Sequence, residues 1–257
     1  MDPQVVEVPI ELAPLQRESG KHVRMWSFVS SLLPRPYLDQ IDSFEVFTDG
    51  DDGALAAVVR EEEDPTRWVL ALDIVDAFTE EEELDTRDLP YSVLHEFAHM
   101  LTLSESQIVL DEELLMSTLS DEAYALLSRK KEEGCASLYF VYQEGCAKQG
   151  SYINAFYQAF WKDDHAEIKE IDLIEDDEEY QEALDRFYAE NENAFVTPYA
   201  ATSVEEDIAE SFAAFVLGGK PEGKLTKDLK INFFYTYEEL ASLRSLLRSR
   251  LGATLLE

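Results

Sequence analysis

Two histidines and a glutamate lie close together in one mostly apolar segment, His95-Glu96-Phe97-Ala98-His99. If this segment is helical, His95 and His99 lie one turn apart and point in the same direction, so that two imidazoles can bind one zinc ion. Glu96 is rotated by about 100° from His95 around such a helix, which places its carboxylate beside the metal. The spacing H-E-x-x-H is typical of zinc peptidases in which the glutamate is the general base. The alternative is a pair of ordinary histidines on a packing helix.

A catalytic zinc ion needs a third protein ligand and leaves one position for water. No third histidine follows the motif at the spacing His-x-x-Gly-x-x-His, so a carboxylate from a second helix is expected. Glu206 and Glu210 lie one turn apart on a predicted helix, residues 203–217, that is apolar on both sides. Because burying two uncompensated carboxylates is costly, we expect Glu206 to be the third ligand and Glu210 to hold the N–H of a ligand histidine. The alternative, in which Glu206 and Glu210 are solvated and Glu205 or Asp207 faces inward, stays open.

These residues resemble the gluzincin metallopeptidases, whose second metal helix carries a glutamate and then an acidic residue four positions later. The stretch from Tyr199 to Phe212 is most similar to the catalytic domain of anthrax lethal factor and to related zinc-binding peptidases of bacteria. The likeness covers two segments, roughly residues 90–103 and 198–215. In that family a tyrosine seven residues before the ligand glutamate assists at the scissile carbonyl, and Tyr199 stands seven residues before Glu206. The resemblance therefore implies a secreted bacterial hydrolase with one catalytic Zn²⁺ ion and with Tyr199 beside Glu96 as a catalytic residue.

The resemblance also implies a fold, a single zincin-like catalytic domain over residues 1–257. That domain would be α+β and mainly helical, with a small antiparallel or mixed sheet and a motif helix packed against the second metal-ligand helix. The sheet and the motif helix would occupy residues 1–101, a helical insert 102–200, and the third-ligand and C-terminal helices 201–257. The implied partner is a peptide or protein substrate. The alternatives are a non-catalytic zinc-containing binding module and a zinc hydrolase of a non-peptide amide.

Three short runs of β-type residues precede the motif and predict an antiparallel meander. The runs are residues 43–48, 54–59 and 67–75. The acidic turn Asp49-Gly50-Asp51-Asp52-Gly53 invites comparison with a calcium loop, but Arg60 stands at the twelfth position, where such a loop needs a glutamate. We therefore predict a plain hairpin, and calcium binding is possible but unsupported. An extended substrate would add main-chain hydrogen bonds along the 67–75 strand at a sheet edge.

Helices are predicted for most of the remaining chain. Pro90 suits the first turn of the motif helix, which would run to about Leu101. Residues 103–197 are rich in aromatic side chains and are predicted to be mostly helical. The other predicted helices are residues 21–33, 176–191, 203–217 with Ser203 as N-cap, and a last helix from Thr236 to just before Gly252.

Acidic residues outnumber basic ones by 55 to 21, so the formal net charge is −34. Such a charge argues against phosphate backbones and anionic lipid surfaces as partners, so no nucleic acid partner is expected. The sequence contains no apolar run of about 18 residues, the length of a membrane-spanning helix. We therefore expect no membrane span.

Two cysteines, Cys135 and Cys146, lie close together in the sequence. A disulfide closing this short loop would fit an extracytoplasmic protein, and two reduced, buried cysteines are the alternative. The first residues lack the basic and apolar regions of a secretory signal. We expect an extracellular or cell-surface location, with a signal or anchor removed, and a cytoplasmic location stays open. His22 and His165 match no family position and are expected to be ordinary, although His165 could line a cleft.

Overall fold

The computed structural model describes residues 7–50 and 53–254. These residues form an α+β structure that is mainly helical and contains two small three-stranded sheets. The chain divides into two compact units, Met1–Phe97 with Leu243–Glu257 and Ala98–Ser242. The division falls inside one continuous helix, the predicted motif helix.

The first unit consists of short helices followed by one sheet. Its elements are α1 (Ala13–Gln16), α2 (Ser19–Leu32), α3 (Arg35–Leu38), β1 (Ile41–Phe47), β2 (Ala56–Arg60), β3 (Trp68–Asp73), the first part of α4 (Asp88–Thr102) and the C-terminal part of α12 (Glu238–Thr254). Helix α2 confirms the helix predicted from apolar spacing. Its buried residues Met25, Phe28, Val29 and Leu32 recur at helical intervals, so that one face contributes to the core.

The sheet of the first unit is mixed, with strand order β1-β3-β2. Strand β1 pairs parallel to β3, and β2 pairs antiparallel to β3. The three strands were predicted, but the antiparallel meander and the hairpin between β1 and β2 were wrong, because β3 lies between them. Strand β3 takes the centre because it is the most buried, with Trp68, Leu70 and Leu72 all in the core. It is therefore not the sheet edge along which a substrate was expected to lie. Residues 51 and 52 of the predicted turn lie outside the described residues.

The second unit is built mainly from helices. Its elements are the last turn of α4, β4 (Ile108–Leu110), α5 (Glu112–Leu115), α6 (Asp121–Gly134), β5 (Phe140–Val141), β6 (Gly145–Ala147), α7 (Tyr152–Phe160), α8 (His165–Ile171), α9 (Asp177–Asn191), two 3-10 helices (Glu192–Ala194 and Tyr199–Ala201), α10 (Val204–Leu217), α11 (Thr226–Phe234) and the start of α12 (Glu238–Thr254). The predicted helical character is confirmed. The sheet β4-β6-β5 was missed, because strands of two or three residues are too short to show an alternating pattern.

Three further helices can be compared with the sequence predictions. Helix α9 begins at Asp177, one residue after the predicted start, and has the expected acidic first turn. The Asp176 carboxylate caps it by accepting from Glu179 N at 3.0 Å. Helix α11 was not predicted. Helix α12 extends to Thr254, so the predicted end before Gly252 was wrong.

A disulfide joins Cys135, at the C-terminal end of α6, to Cys146 in β6. The Cα atoms are 5.4 Å apart, a separation typical of disulfides. Of the two alternatives for these cysteines, the structure therefore has the disulfide.

Among the described residues, none of the helices combines the length and the apolar composition needed to cross a bilayer.

Candidate metal centre

Helix α4 carries the histidine motif, and its position follows from its apolar residues. Leu89, Val93, Leu94, Phe97, Ala98 and Met100 are all fully buried. Because apolar residues surround the motif on this helix, His95, Glu96 and His99 are also drawn inward, with exposures of 6%, 8% and 9%. The predicted helix, with Pro90 in its first turn, is confirmed.

Helix α10 carries the third predicted ligand in its first turn. The Ser203 hydroxyl accepts from Glu206 N at 3.0 Å, which confirms the predicted N-cap. Glu205, Glu206 and Asp207 follow in succession, where negative charge is favoured by the helix dipole. The helix ends as predicted at Gly218, whose N–H donates to Ala214 O.

The structure brings the three predicted ligands together. His95, His99 and Glu206 each offer one ligand atom, and these atoms all lie within 4.8 Å of one another. The His99 Nε2 atom is 3.5 Å from Glu206 Oε2. In a tetrahedral zinc site with bonds of about 2.0–2.2 Å, two ligand atoms lie about 3.4 Å apart. The donor set therefore suits a metal ion such as zinc, and the His99–Glu206 pair has the spacing of a tetrahedral site. The identity of the metal stays a prediction.

Glu96 and Glu210 lie on the same two helices as the three ligands. Glu210 is buried, at 4% exposure, and the Thr197 hydroxyl donates to its Oε2 atom at 2.5 Å. The same hydroxyl accepts from Ala200 N at 3.1 Å. Glu210 is therefore held by the turn that precedes α10. Its predicted contact with a ligand histidine, and the general-base role of Glu96, stay predictions.

Tyr199 lies in the 3-10 helix immediately before α10. It is 54% exposed, so the alternative of a buried packing tyrosine does not apply. The backbone turn is closed by Thr202, whose N–H and hydroxyl both donate to Tyr199 O, at 3.1 and 2.8 Å. An exposed phenol in this position is accessible to a substrate, and its catalytic role stays a prediction.

The residues on either side of Glu206 are each held by a partner. The Tyr139 hydroxyl donates to Glu205 Oε2 at 2.9 Å. Removal from water raises the pKa of Glu205 to about 7, against the opposing effect of the Tyr139 hydrogen bond. Asp207 is fully buried, and burial raises its pKa to about 6, opposed chiefly by Lys230. Asp207 therefore faces inward, as the alternative expected. Glu210 is buried as well, and Glu206 is half-buried and lies with the two histidines, so the solvated positions that the alternative gave these two glutamates are wrong.

Lys230 was missed by the sequence analysis, because it lies in the unpredicted helix α11. Its Nζ atom is 2.6 Å from Asp207 Oδ2, and the two side chains are 1% and 0% exposed. Trp161 Nε1 donates to the same oxygen at 2.7 Å, and Ser211 Oγ donates to Oδ1 at 3.4 Å. The ammonium group also lies 4.0 Å from the centre of the Phe195 ring. A single lysine between Leu229 and the mostly apolar run Ile231-Asn-Phe-Phe-Tyr is the signal that could have identified it.

A second acidic group lies in the first unit, formed by Asp49, Asp73 and Asp76. Asp73 is fully buried, and its carboxylate accepts from the backbone N–H groups of Asp49, Val75 and Asp76. The Asp49 Oδ2 atom accepts from Ala54 N at 3.0 Å. These bonds connect the ends of β1 and β3.

The other two histidines have ordinary packing contacts. His165 packs edge-on against the rings of Tyr139 and Tyr157, with centroid distances of 5.6 and 5.2 Å. Burial lowers its pKa, with a smaller contribution from Lys169. His22 Nε2 lies 3.1 Å from Leu15 O.

No protein-family model, curated protein or solved structure that was compared matches this chain. The gluzincin resemblance consequently rests on the residues of the two helices.

Proposed function

We propose that this chain is a zinc-dependent peptidase of the gluzincin type that hydrolyses peptide bonds. The observation that carries the proposal is the group of His95, His99 and Glu206, with ligand atoms within 4.8 Å of one another. Two imidazoles and one carboxylate form the donor set that catalytic zinc sites use, and three protein ligands leave one position for water or substrate. When bound, zinc would lower the pKa of a water molecule and polarise the scissile carbonyl.

Glu96 has the position expected of the general base in this proposal. It follows His95 directly, so its carboxylate is offset around α4 from the ligand direction by about 100°. At 8% exposure it lies where bulk water is largely excluded, which strengthens its hydrogen bonds. Glu96 would take the proton from the attacking water and return it to the leaving nitrogen.

Tyr199 and Glu210 would complete the site from the segment around the start of α10. The exposed phenol of Tyr199 can donate a hydrogen bond to the oxyanion that develops on the substrate. Glu210 would hold the N–H of a ligand histidine, which fixes the tautomer that binds the metal. The Thr197 hydrogen bond would keep the Glu210 carboxylate in that orientation.

The Cys135–Cys146 disulfide supports an oxidising compartment as the place where the enzyme works. The high negative charge of the chain favours substrates that are neutral or basic over acidic ones. We therefore propose an extracellular or cell-surface peptidase.

The test compares the wild-type protein with Glu96→Gln. Metal content is measured by inductively coupled plasma mass spectrometry, and cleavage is mapped by mass spectrometry in a diverse peptide pool. We expect one zinc ion per chain in both proteins and cleavage by the wild type alone. Glu81→Gln, which neutralises an exposed carboxylate, is the matched control and should cleave like the wild type.

Three outcomes would refute the proposal or favour an alternative function. A wild-type protein without bound metal would refute the proposal at its first step. One zinc ion per chain with no cleavage of any peptide would favour the binding module. Cleavage of simple amides without cleavage of peptides would favour a hydrolase of a different substrate class.

A further inference from the structure

The metal ligand Glu206 lies between two residues that are each held from another element. Glu205 is held by the hydroxyl of Tyr139, which precedes β5. Asp207 is held by Lys230 from α11 and by Trp161 at the end of α7. These contacts all belong to the second unit.

Two such contacts determine the rotation of α10 about its own axis. Successive side chains on an α-helix point about 100° apart, so partners on Glu205 and Asp207 hold the helix from two directions. Glu206 leaves the helix between these directions. With both neighbours held, the direction in which the Glu206 side chain leaves the helix is fixed. In this direction the Glu206 carboxylate lies 3.5 Å from His99 Nε2.

Stability alone does not explain the Asp207–Lys230 ion pair. Both side chains have been removed from water, and the cost of removing two charges from water often exceeds the attraction between them. An apolar pair of the same volume would fill this position at equal or lower free energy. An apolar pair would not fix the orientation of α10 in the same way, because hydrogen-bonded ion pairs constrain the orientation of the groups that they join, whereas apolar contacts do not.

We propose that the Asp207–Lys230 ion pair, together with Trp161, positions Glu206 for metal binding. The inference rests on the proposed function, since it assigns the pair a role in the metal site. Asp207 and Lys230 are positioning residues in this proposal.

The test uses the double variant Asp207→Asn/Lys230→Met, which removes both charges, keeps both volumes and leaves an amide oxygen for the Trp161 N–H. Zn²⁺ affinity is measured by competition with a chromogenic chelator, and the absorption spectrum of bound Co²⁺ reports the coordination geometry. We expect the metal-free melting temperature to stay close to that of the wild type. We expect the Zn²⁺ affinity to fall by roughly 10-fold or more and the Co²⁺ spectrum to change.

The control is Phe215→Leu, on the same helix but outside both anchors. Phe215 is fully buried and packs against Phe212, Phe234 and Tyr235. This variant should lower the melting temperature and leave the Zn²⁺ affinity and the Co²⁺ spectrum unchanged. The comparison separates positioning from general destabilisation.

The outcomes are distinguishable. Unchanged Zn²⁺ affinity in the double variant, or an equal fall in Phe215→Leu, would overturn the inference and leave the proposed function intact. Absence of metal from the wild type would refute the proposed function and the inference together. If the double variant does not fold, Trp161→Phe removes one donor to Asp207 and keeps the ion pair. A smaller fall in Zn²⁺ affinity is then expected, and no fall would overturn the inference.

Discussion

Replacing Lys230 with methionine would leave one charge of the buried pair without its counter-ion. The two side chains have similar length, so the change removes the ammonium group without opening a large cavity. Asp207 would keep the N–H of Trp161 and the hydroxyl of Ser211 as donors. Its carboxylate would lose the Lys230 ammonium group, which lies 2.6 Å from Asp207 Oδ2 in the wild type, and both side chains are at most 1% exposed.

The expected loss in the free energy of unfolding is about 3–5 kcal/mol, the cost of breaking a buried ion pair by removing one partner. Losing the contact of the ammonium group with the Phe195 ring adds to this loss, and the two remaining donors reduce it. The measurement should be made at pH 8, because burial raises the pKa of Asp207 to about 6 in the wild type, and losing Lys230, which lowers this pKa, raises it further. Urea denaturation followed by circular dichroism gives the value directly.

The double variant Asp207→Asn/Lys230→Met supplies the matched comparison. With both charges removed, no uncompensated ion remains, and most of the lost stability should return. A single variant within about 1 kcal/mol of the wild type would refute the reasoning. A double variant less stable than the single one would refute it as well, because the loss would then come from packing instead of an unpaired charge.

Three further predictions concern other contacts. Replacing both Cys135 and Cys146 with serine should lower the free energy of unfolding by about 3 kcal/mol, because the loop-closing disulfide restricts the unfolded chain; equal denaturation midpoints under oxidising conditions would contradict this. Burial lowers the pKa of His165 below 6.5, so the unfolded state binds a proton at this histidine more readily than the folded state. Wild-type stability should therefore be lost as the pH falls through 6.5. Thermal melts at pH 5 to 8 should show this part of the pH dependence for the wild type and not for His165→Phe. Thr197→Val removes a donor to the Glu210 carboxylate and should cost about 1.5–3 kcal/mol and weaken Zn²⁺ binding. The control Thr79→Val, at an exposed position, should lie within about 0.5 kcal/mol of the wild type.

The sequence allowed the prediction of features that depend on a single element. The motif helix, the Ser203 cap and the inward position of Glu210 follow from side-chain spacing around one helix, and all three are present. Bringing Glu206 to the two histidines involves two elements distant in sequence. The three side chains do lie together, and the role of Glu206 as a metal ligand stays a prediction.

Features that depend on the pairing of several elements could not be predicted in this way. Nothing in the pattern of β1 indicates that it pairs with β3 in parallel and not with β2. Only the greater burial of β3 in the folded unit explains its central position. The Lys230 partner of Asp207 lies in a helix whose apolar spacing is weak, so neither the helix nor the ion pair was expected.

The first turn of α10 concentrates negative charge beside the two histidines of α4. Three successive carboxylates at Glu205, Glu206 and Asp207 begin a helix that is otherwise buried. The helix dipole stabilises negative charge there by about 0.3–1 kcal/mol per group, which is small beside the cost of burial. Glu205 is compensated by a phenol and Asp207 by an ammonium group. The carboxylate of Glu206 lies 3.5 Å from His99 Nε2 and within 4.8 Å of a ligand atom of each histidine, so a divalent cation bound to these three residues would interact directly with the middle carboxylate. Removing the metal with a chelator should therefore destabilise the wild type and leave Glu206→Gln, which lacks the third metal ligand, almost unaffected. Equal shifts in melting temperature would contradict this argument.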